Sequence, residues 1–339
     1  MKIVFFEMLN EVDHYEEETF KKFFPENEAT YFKEILSMEN VTLAKEAEIV
    51  SVFTKSLVNK EIIDLLPNLK YINTSSTGFE HIDIEYCEKK GIKVSNVPAY
   101  GSVTVAEFAF ALMLNLSRKI SKANSQLRQD NDFNVIPLRG FDLKGKTLGV
   151  IGTGKIGKNV IKIAKGFGME VIAYDLHPDI AFAKENNFTY KNFLEVLGES
   201  DIITIHTPYT KENHHLINKE NIKNMKKGVY LINTARGGLV DSEALVWGLK
   251  EGIIAGAGLD VLEGERDIQN EIKILSSKEV HVLEDYKILL ENHVLIEMPN
   301  VVVTPHIAFY SKEAEGEIIK TTVDNIKGFI AGVPINLVK

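Results

Sequence analysis

The run Gly152-Thr153-Gly154-Lys155-Ile156-Gly157 constrains this chain more than any other stretch, because of what flanks it. An apolar, strand-like segment, Thr147–Ile151, leads in, and a helix-like segment, Lys158–Ala164, leads out. A second strand-like run from Glu170 then ends on Asp175. Glycine-rich turns alone are common, but strand, glycines, helix, strand and terminal acid together form the dinucleotide-binding fingerprint. Gly152 permits the tight turn, Gly154 lets backbone approach a pyrophosphate, and Gly157 permits close packing of the helix. The helix N-terminus offers unpaired N–H groups and partial positive charge to that anion. Asp175 can accept from both ribose hydroxyls and would repel a 2′-phosphate. Leu176, His177 and Pro178 follow it, with no Lys or Arg, so the expected cofactor is NAD rather than NADP.

At 339 residues the chain suits about two domains. A formal charge of −9 argues against a general nucleic-acid or anionic-membrane binder. The single cysteine, Cys87, cannot form an internal disulfide, which fits a reducing cytoplasm. The apolar start Met1–Phe6 meets Glu7 too early for a secretion signal and reads as a buried first strand. Val105–Leu114, the longest apolar stretch, is too short to span a bilayer.

Strand-like runs alternate with helical ones along most of the chain. They lie at Lys2–Phe6, Ile49–Phe53, Tyr71–Ser75 and Lys93–Val97, then at Leu148–Ile151, Val171–Tyr174, Ile202–His206, Val229–Asn233, Gly256–Val261 and Val301–Thr304. Amphipathic stretches such as Lys60–Leu66 and Ile84–Lys90 separate early strands. Mostly apolar strands alternating with helices predict α/β architecture with doubly wound parallel sheets. Because the fingerprint begins near residue 147, the first hundred residues form a separate α/β unit. Thr104 with Glu107 reads as a capping box opening a helix apolar almost all round, which needs cover on every side. The acidic run Glu11–Glu18 reads as a solvated helix face. Residues 263–297, charged and outside the strand rhythm, read as a surface insertion.

Three polar residues stand just past later strands, where open α/β sheets hold their ligands. Arg236 follows Val229–Asn233; its guanidinium can hold a carboxylate through two parallel hydrogen bonds. His306 follows Val301–Thr304 and Pro305, and imidazole both donates and accepts protons near neutrality. Glu265 can pair with that imidazole and favour its protonated form. A lone arginine after a strand serves equally well in a surface ion pair, and a lone histidine in no chemistry. The spacing leaves contact between Glu265 and His306 open. His214-His215 has no acid or cysteine at ligand spacing, so no metal is expected. His14, His81, His281 and His293 read as scattered surface residues.

These motifs resemble those of the D-isomer-specific 2-hydroxyacid dehydrogenases over nearly the whole chain. Matching stretches are Ser76–Asp83, Asn96–Tyr100, Val105–Glu107, the glycine fingerprint, His206–Pro208, Ala235–Gly237, Gly258–Asp260, Glu263–Glu265 and Thr304–His306. The resemblance implies a catalytic set of Arg236, Glu265 and His306. It implies a Rossmann-type NAD domain (101–300) inserted in a flavodoxin-like substrate domain (1–100 and 301–339), with the active site in the cleft. Cofactor contacts are implied for Gly152, Gly154, Lys155, Ile156, Gly157, Asp175, Thr207, Pro208, Asn213, Thr234, Ala235 and Asp260, the last toward the nicotinamide carboxamide. Thr77 and Gly78 are implied to offer backbone N–H groups to a substrate carboxylate. Phe53, Tyr100 and Phe309 are implied pocket aromatics, the latter two resembling the D-lactate and D-2-hydroxyisocaproate dehydrogenases. A small 2-keto or 2-hydroxy acid as partner and a homodimer through the helix after Thr104 follow from the same resemblance.

Departures from the pattern are Glu80-His81, Gly238, and a longer segment between Glu265 and His306. Within the family, phosphoglycerate dehydrogenase or glyoxylate/hydroxypyruvate reductase activity is the alternative, although Ser75–Asp83 has no basic residue for a phosphate. A non-catalytic NAD(H)-sensing corepressor of the same fold is the alternative of another class.

Overall fold

The computed structural model of the chain describes residues 1–8, 15–25, 28–265 and 283–338. These fall into two compact units, Met1–Gly101 with Tyr310–Lys339, and Ser102–Phe309.

The first unit carries five strands: β1 (Ile3–Phe5), β2 (Ala29–Tyr31), β3 (Ile49–Val52), β4 (Tyr71–Thr74) and β5 (Lys93–Ser95). All pair in parallel in the order β2-β1-β3-β4-β5, the flavodoxin-type winding. Side-chain alternation divides its core between the two faces. Val4, Val50 and Ile72 pack toward α2 (Lys60–Asp64) and α3 (Ile84–Lys90). Ile3, Phe5, Ile49 and Tyr71 pack with Phe20 of α1 (Tyr15–Phe23). That second face also receives Ile319, Val323 and Ile326 from the tail. Buried hydrogen bonds from Asn325 Nδ2 to Asn73 Oδ1 (3.0 Å) and between Ser75 and Thr322 hydroxyls (3.0 Å) fix the tail's register.

The second unit holds β6 (Thr147–Ile151), β7 (Glu170–Tyr174), β8 (Thr189–Tyr190), β9 (Ile202–Ile205), β10 (Val229–Asn233), β11 (Ile254–Leu259) and β12 (Val301–Val303). Their order, β12-β11-β10-β9-β6-β7-β8, is all-parallel and reverses direction between β6 and β9. The strand order is the dinucleotide-binding one, extended by β12. Around it lie α4 (Ser102–Arg118), α5 (Ile120–Asp130), α6 (Lys155–Gly166), α7 (Ile180–Glu185), α8 (Phe193–Glu199), α9 (Lys219–Ile222), α10 (Ser242–Lys250) and α11 (Leu283–Glu297). The tail helix is α12 (Lys312–Ile330).

Several expectations change here. The return to the first unit comes at 309/310 rather than 300/301, because Val301–Val303 pairs with Ala257–Leu259 in the second sheet. Residues 283–297 are a crossover helix packed on α10 and β12, not a surface insertion; 266–282 lie outside the described residues. The helix after Tyr100 starts at Ser102, so Thr104 lies inside it rather than capping it. It is also not covered all round, since Val103, Glu107 and Ala111 are exposed. The short edge strands β2 and β8 carry too little apolar signal to stand out in sequence. His81 is buried, with Nε2 3.1 Å from Thr74 Oγ1, while His14, His281 and the start of the acidic run lie outside the described residues. Among the described residues no helix is long and apolar enough to cross a membrane.

Candidate active site

The glycines do separate jobs at the C-terminal end of β6. Gly152 has φ +91°, and a Cβ there would sit 2.7 Å from Thr207 N, so the turn lies flush on the loop after β9. A Cβ on Gly157 would strike the Gly152 carbonyl oxygen at 2.1 Å, so this glycine lets α6 close onto the turn. Gly154 differs: it is the N-cap of α6, and a Cβ would meet nothing within 4 Å. Its lack of a side chain leaves room before a twelve-residue helix whose first N–H groups receive no side-chain cap.

Asp175 is fixed beside this turn. Its Oδ2 accepts from Thr153 N (2.6 Å) and Thr153 Oγ1 (2.8 Å), and its Oδ1 from His177 N (2.8 Å). Burial works to raise its pKa, but these donors outweigh it and the carboxyl titrates below the usual range. Past β9 and β10, His206 Nδ1 and Thr234 Oγ1 are buried with no hydrogen-bond partner among the described residues. Open space at a helix N-terminus, an oriented acid and two orphaned polar atoms at the strand reversal fit a dinucleotide. Lys155 and Ile156 open α6, and Thr207, Pro208 and Ala235 lie on the same rim of loops. Asn213 is turned onto its own loop, accepting from Thr210 N and donating to the Pro208 carbonyl, both at 2.7 Å.

Burial has a strong effect on His206: it pushes the imidazole pKa down to about 3, so this ring is neutral. Nε2 lies 2.8 Å from Thr204 Oγ1.

The three loops after β10, β11 and β12 carry Arg236, Glu265 and His306. Arg236 follows a turn held by Asn233, which accepts from Ala235 N (3.0 Å) and donates to the Arg236 carbonyl (2.9 Å). Gly237 is then pressed against the next loop, since a Cβ would fall 2.0 Å from Leu262 O. The Arg236 turn and the segment leading to Glu265 therefore touch through backbone. Glu265 Oε1 lies 2.8 Å from His306 Nδ1, although 41 residues separate them.

Asp260 builds the His306 loop. Its carboxylate accepts from Thr304 Oγ1 (2.6 Å), Ile307 N (2.9 Å) and Ala308 N (2.8 Å). Burial raises its pKa, with these three donors opposing the shift. His306 N donates to the Asp260 carbonyl at 2.9 Å. Between these bonds His306 adopts φ +57°, an uncommon conformation for a residue with a Cβ, and one found where a site over-determines its backbone. Phe309 follows, half-buried.

In the first unit, Asn96 Nδ2 donates to Thr77 O (2.8 Å) and Ser76 Oγ to Gly78 O (2.6 Å). These bonds pin the planes carrying the N–H groups of Gly78 and Phe79, and Val97 N, donating to Ser76 O at 3.0 Å, pins the plane carrying the Thr77 N–H. Phe53 is buried, and Tyr100 half-buried.

The profile of the "D-isomer specific 2-hydroxyacid dehydrogenase, NAD binding domain" matches residues 110–308. The chain belongs to this family. An aromatic 2-oxoacid reductase of Clostridium sporogenes is 41% identical over 290 residues, 85% of this chain and 84% of that protein. D-Lactate dehydrogenase of Escherichia coli is 37% identical over 309 residues, 90% of each. The D-lactate dehydrogenase of Aquifex aeolicus, solved with NAD and lactic acid, superposes with a TM-score of 0.84 at 37% identity, covering 98% of this chain and 96% of that one. The part of the chain that matches is the family's NAD-binding domain.

Three further acids and bases lie beside these residues, each with a partner far away in sequence. Glu7, at φ +60°, accepts from four consecutive amides, Phe53 N (3.3 Å), Thr54 N (3.1 Å), Lys55 N (2.8 Å) and Ser56 N (2.7 Å), and so shapes the loop bearing Phe53. His215 Nε2 lies 2.6 Å from Glu263 Oε1. Hence His214-His215 does have an acid beside it, supplied from 48 residues away, and the potential ligand atoms of the three lie within 4.8 Å of one another. Gly238, a departure from the family pattern, leaves room for Tyr209 and His214: a Cβ there would meet Tyr209 Cε2 at 3.0 Å.

Proposed function

We propose that this NAD-dependent D-2-hydroxyacid dehydrogenase interconverts a small 2-keto acid, pyruvate or one somewhat larger, and the D-2-hydroxy acid. The observation that carries the catalytic assignment is the Glu265–His306 hydrogen bond, set on the loop that abuts the Arg236 turn. Glu265 accepts at Nδ1, which leaves Nε2 as the atom that exchanges a proton with substrate. In reduction, protonated His306 gives its Nε2 proton to the keto oxygen; in oxidation, the neutral ring takes it from the hydroxyl. Glu265 holds the ring by Nδ1 and fixes its orientation. Arg236 holds and orients the substrate carboxylate. Bound nicotinamide supplies or takes the hydride. By resemblance to the family, the amides of Thr77 and Gly78 are expected carboxylate donors, and Phe53, Tyr100 and Phe309 are expected pocket aromatics. For a phosphorylated substrate the Ser75–Asp83 loop offers no Lys or Arg.

The proposed assembly is a cytoplasmic homodimer. Phe133, Val135 and Ile136, next to α5, are 79%, 74% and 82% exposed, apolar surface that a second copy could cover. The function is tested by NADH oxidation with a series of 2-keto acids from glyoxylate and pyruvate through 2-ketoisocaproate, phenylpyruvate and hydroxypyruvate. The aromatic member is included because of the Clostridium relative. Turnover of none, with NADH still bound, would favour the nucleotide-sensing alternative. Sedimentation of wild type against Ile136→Asp tests the dimer.

A further inference from the structure

We propose that His215 is a positioning residue that locks the Arg236 turn to the loop bearing Glu265. This rests on the roles assigned to Arg236 and Glu265 above.

Between β11 and His306 the chain presents two glutamates two residues apart, each held by a histidine from elsewhere. Glu265 meets His306, and Glu263 meets His215. Only the first pair has a place in the chemistry. The second grips the same loop two residues earlier, at 2.6 Å, where the Glu263 side chain is only 11% exposed. Asn292 Nδ2 holds the Glu263 carbonyl from α11 at 2.7 Å.

The backbone of His215 is tied to the other loop. His215 N donates to Gly238 O at 2.9 Å, two residues beyond Arg236. The attachment continues through Ile217 N to Leu239 O and Asp241 N to Ile217 O, both 2.9 Å. His215 Nδ1 faces Asp241, the N-cap of α10, at 3.9 Å. One residue therefore bonds the Arg236 turn through its main chain and the Glu265 loop through its side chain. The two loops also meet at Gly237, where a Cβ would strike Leu262 O at 2.0 Å and Glu263 N at 2.4 Å.

A divalent cation held by His214, His215 and Glu263 is the competing use of the cluster. The geometry favours the clamp. His215 Nε2 already serves Glu263, and the His214 ring lies face to face on His215, centroids 3.7 Å apart, so that the rings stack rather than converge on a point.

His215→Phe keeps the ring and its stacking but removes the donor; His215→Gln restores an N–H near the position of Nε2. A misplacement of about 1 Å in such a constellation costs about 100-fold in rate. The expected result for His215→Phe is a fall in kcat/KM for the keto acid of about 10- to 100-fold. NADH affinity by fluorescence titration and Tm should stay close to wild type. His215→Gln should recover most of the loss, and adding Glu263→Leu to His215→Phe should make it no worse. A loss of Tm that tracks the loss of activity, or no recovery with Gln, would reduce the pair to a structural contact. Wild-type activity that chelator abolishes and Zn²⁺ restores, but not in His215→Phe, would replace the clamp with a metal site. Normal kcat/KM in His215→Phe, while Arg236→Lys and Glu265→Gln are impaired, would overturn this inference alone. Normal activity in those two variants would overturn the catalytic reading beneath it.

Discussion

Glu265 Oε1 stands 2.8 Å from His306 Nδ1, and this contact distinguishes the two nitrogens of the ring. With Nδ1 committed to the carboxylate, the proposed mechanism assigns the exchangeable proton to Nε2. Reduction needs that proton in place and falls as rising pH removes it; oxidation needs the neutral ring and rises over the same span. Opposed pH profiles of kcat/KM in the two directions check this. His306→Ala should lower turnover at least 100-fold, the usual scale of a general acid. Glu265→Gln, which keeps an acceptor without the charge, should retain more activity than His306→Ala.

Arg236→Lys keeps the charge but loses the planar fork. A charge-assisted hydrogen bond to a carboxylate is worth about 1.5–3 kcal/mol, so kcat/KM for the keto acid should fall about 10- to 150-fold. Steady-state kinetics at saturating NADH reads this directly, and unchanged efficiency would remove Arg236 from the carboxylate site.

Two glycines should respond in opposite ways to alanine. At Gly237 the added Cβ meets backbone at 2.0 Å and the loops must part, lowering both Tm and activity. At Gly154 it meets nothing within 4 Å among the described residues, so stability should fall by no more than about 1 kcal/mol, the scale of an N-cap change. NADH affinity should nonetheless drop at least tenfold, because the methyl occupies the approach to the helix N-terminus. Thermal melts beside fluorescence titration separate the two effects.

His206 makes stability depend on pH. Its pKa is about 3 in the fold against 6.5 for the free side chain, so between those values the unfolded chain binds more protons. This contribution is fully present above about pH 6.5 and is lost as pH falls below it, by about 2 kcal/mol at pH 5. Without cofactor, His206→Asn should show a flatter decline in unfolding free energy between pH 7 and pH 5. An identical slope in the two proteins would mean that the ring is protonated in the fold.

The parts of the site legible in sequence are those where chemistry is local. Glycine spacing and Asp175 sit within one βαβ unit, so adjacency in sequence is adjacency in space. Arg236 and His306 were visible as polar residues just past apolar strands. Glu265 was visible only as a candidate, because the contact that defines it closes over 41 residues. Glu7, His215 and Glu263 were missed for the same reason: each acts across roughly fifty residues, and nothing in its neighbours reports the partner. His81 looked like a surface residue because the loop carrying it is polar, yet Thr74 draws the ring inward. The helix after Tyr100 looked buried all round, but in the single chain one face is open.

The central claim is tested most directly by incubating purified protein with NADH and pyruvate, or its preferred 2-keto acid, and resolving the product on a chiral phase. Oxidation of NADH coupled to the D-2-hydroxy acid alone, and abolished in His306→Ala, is the expected result. An L or racemic product, or equal product from His306→Ala, would contradict it.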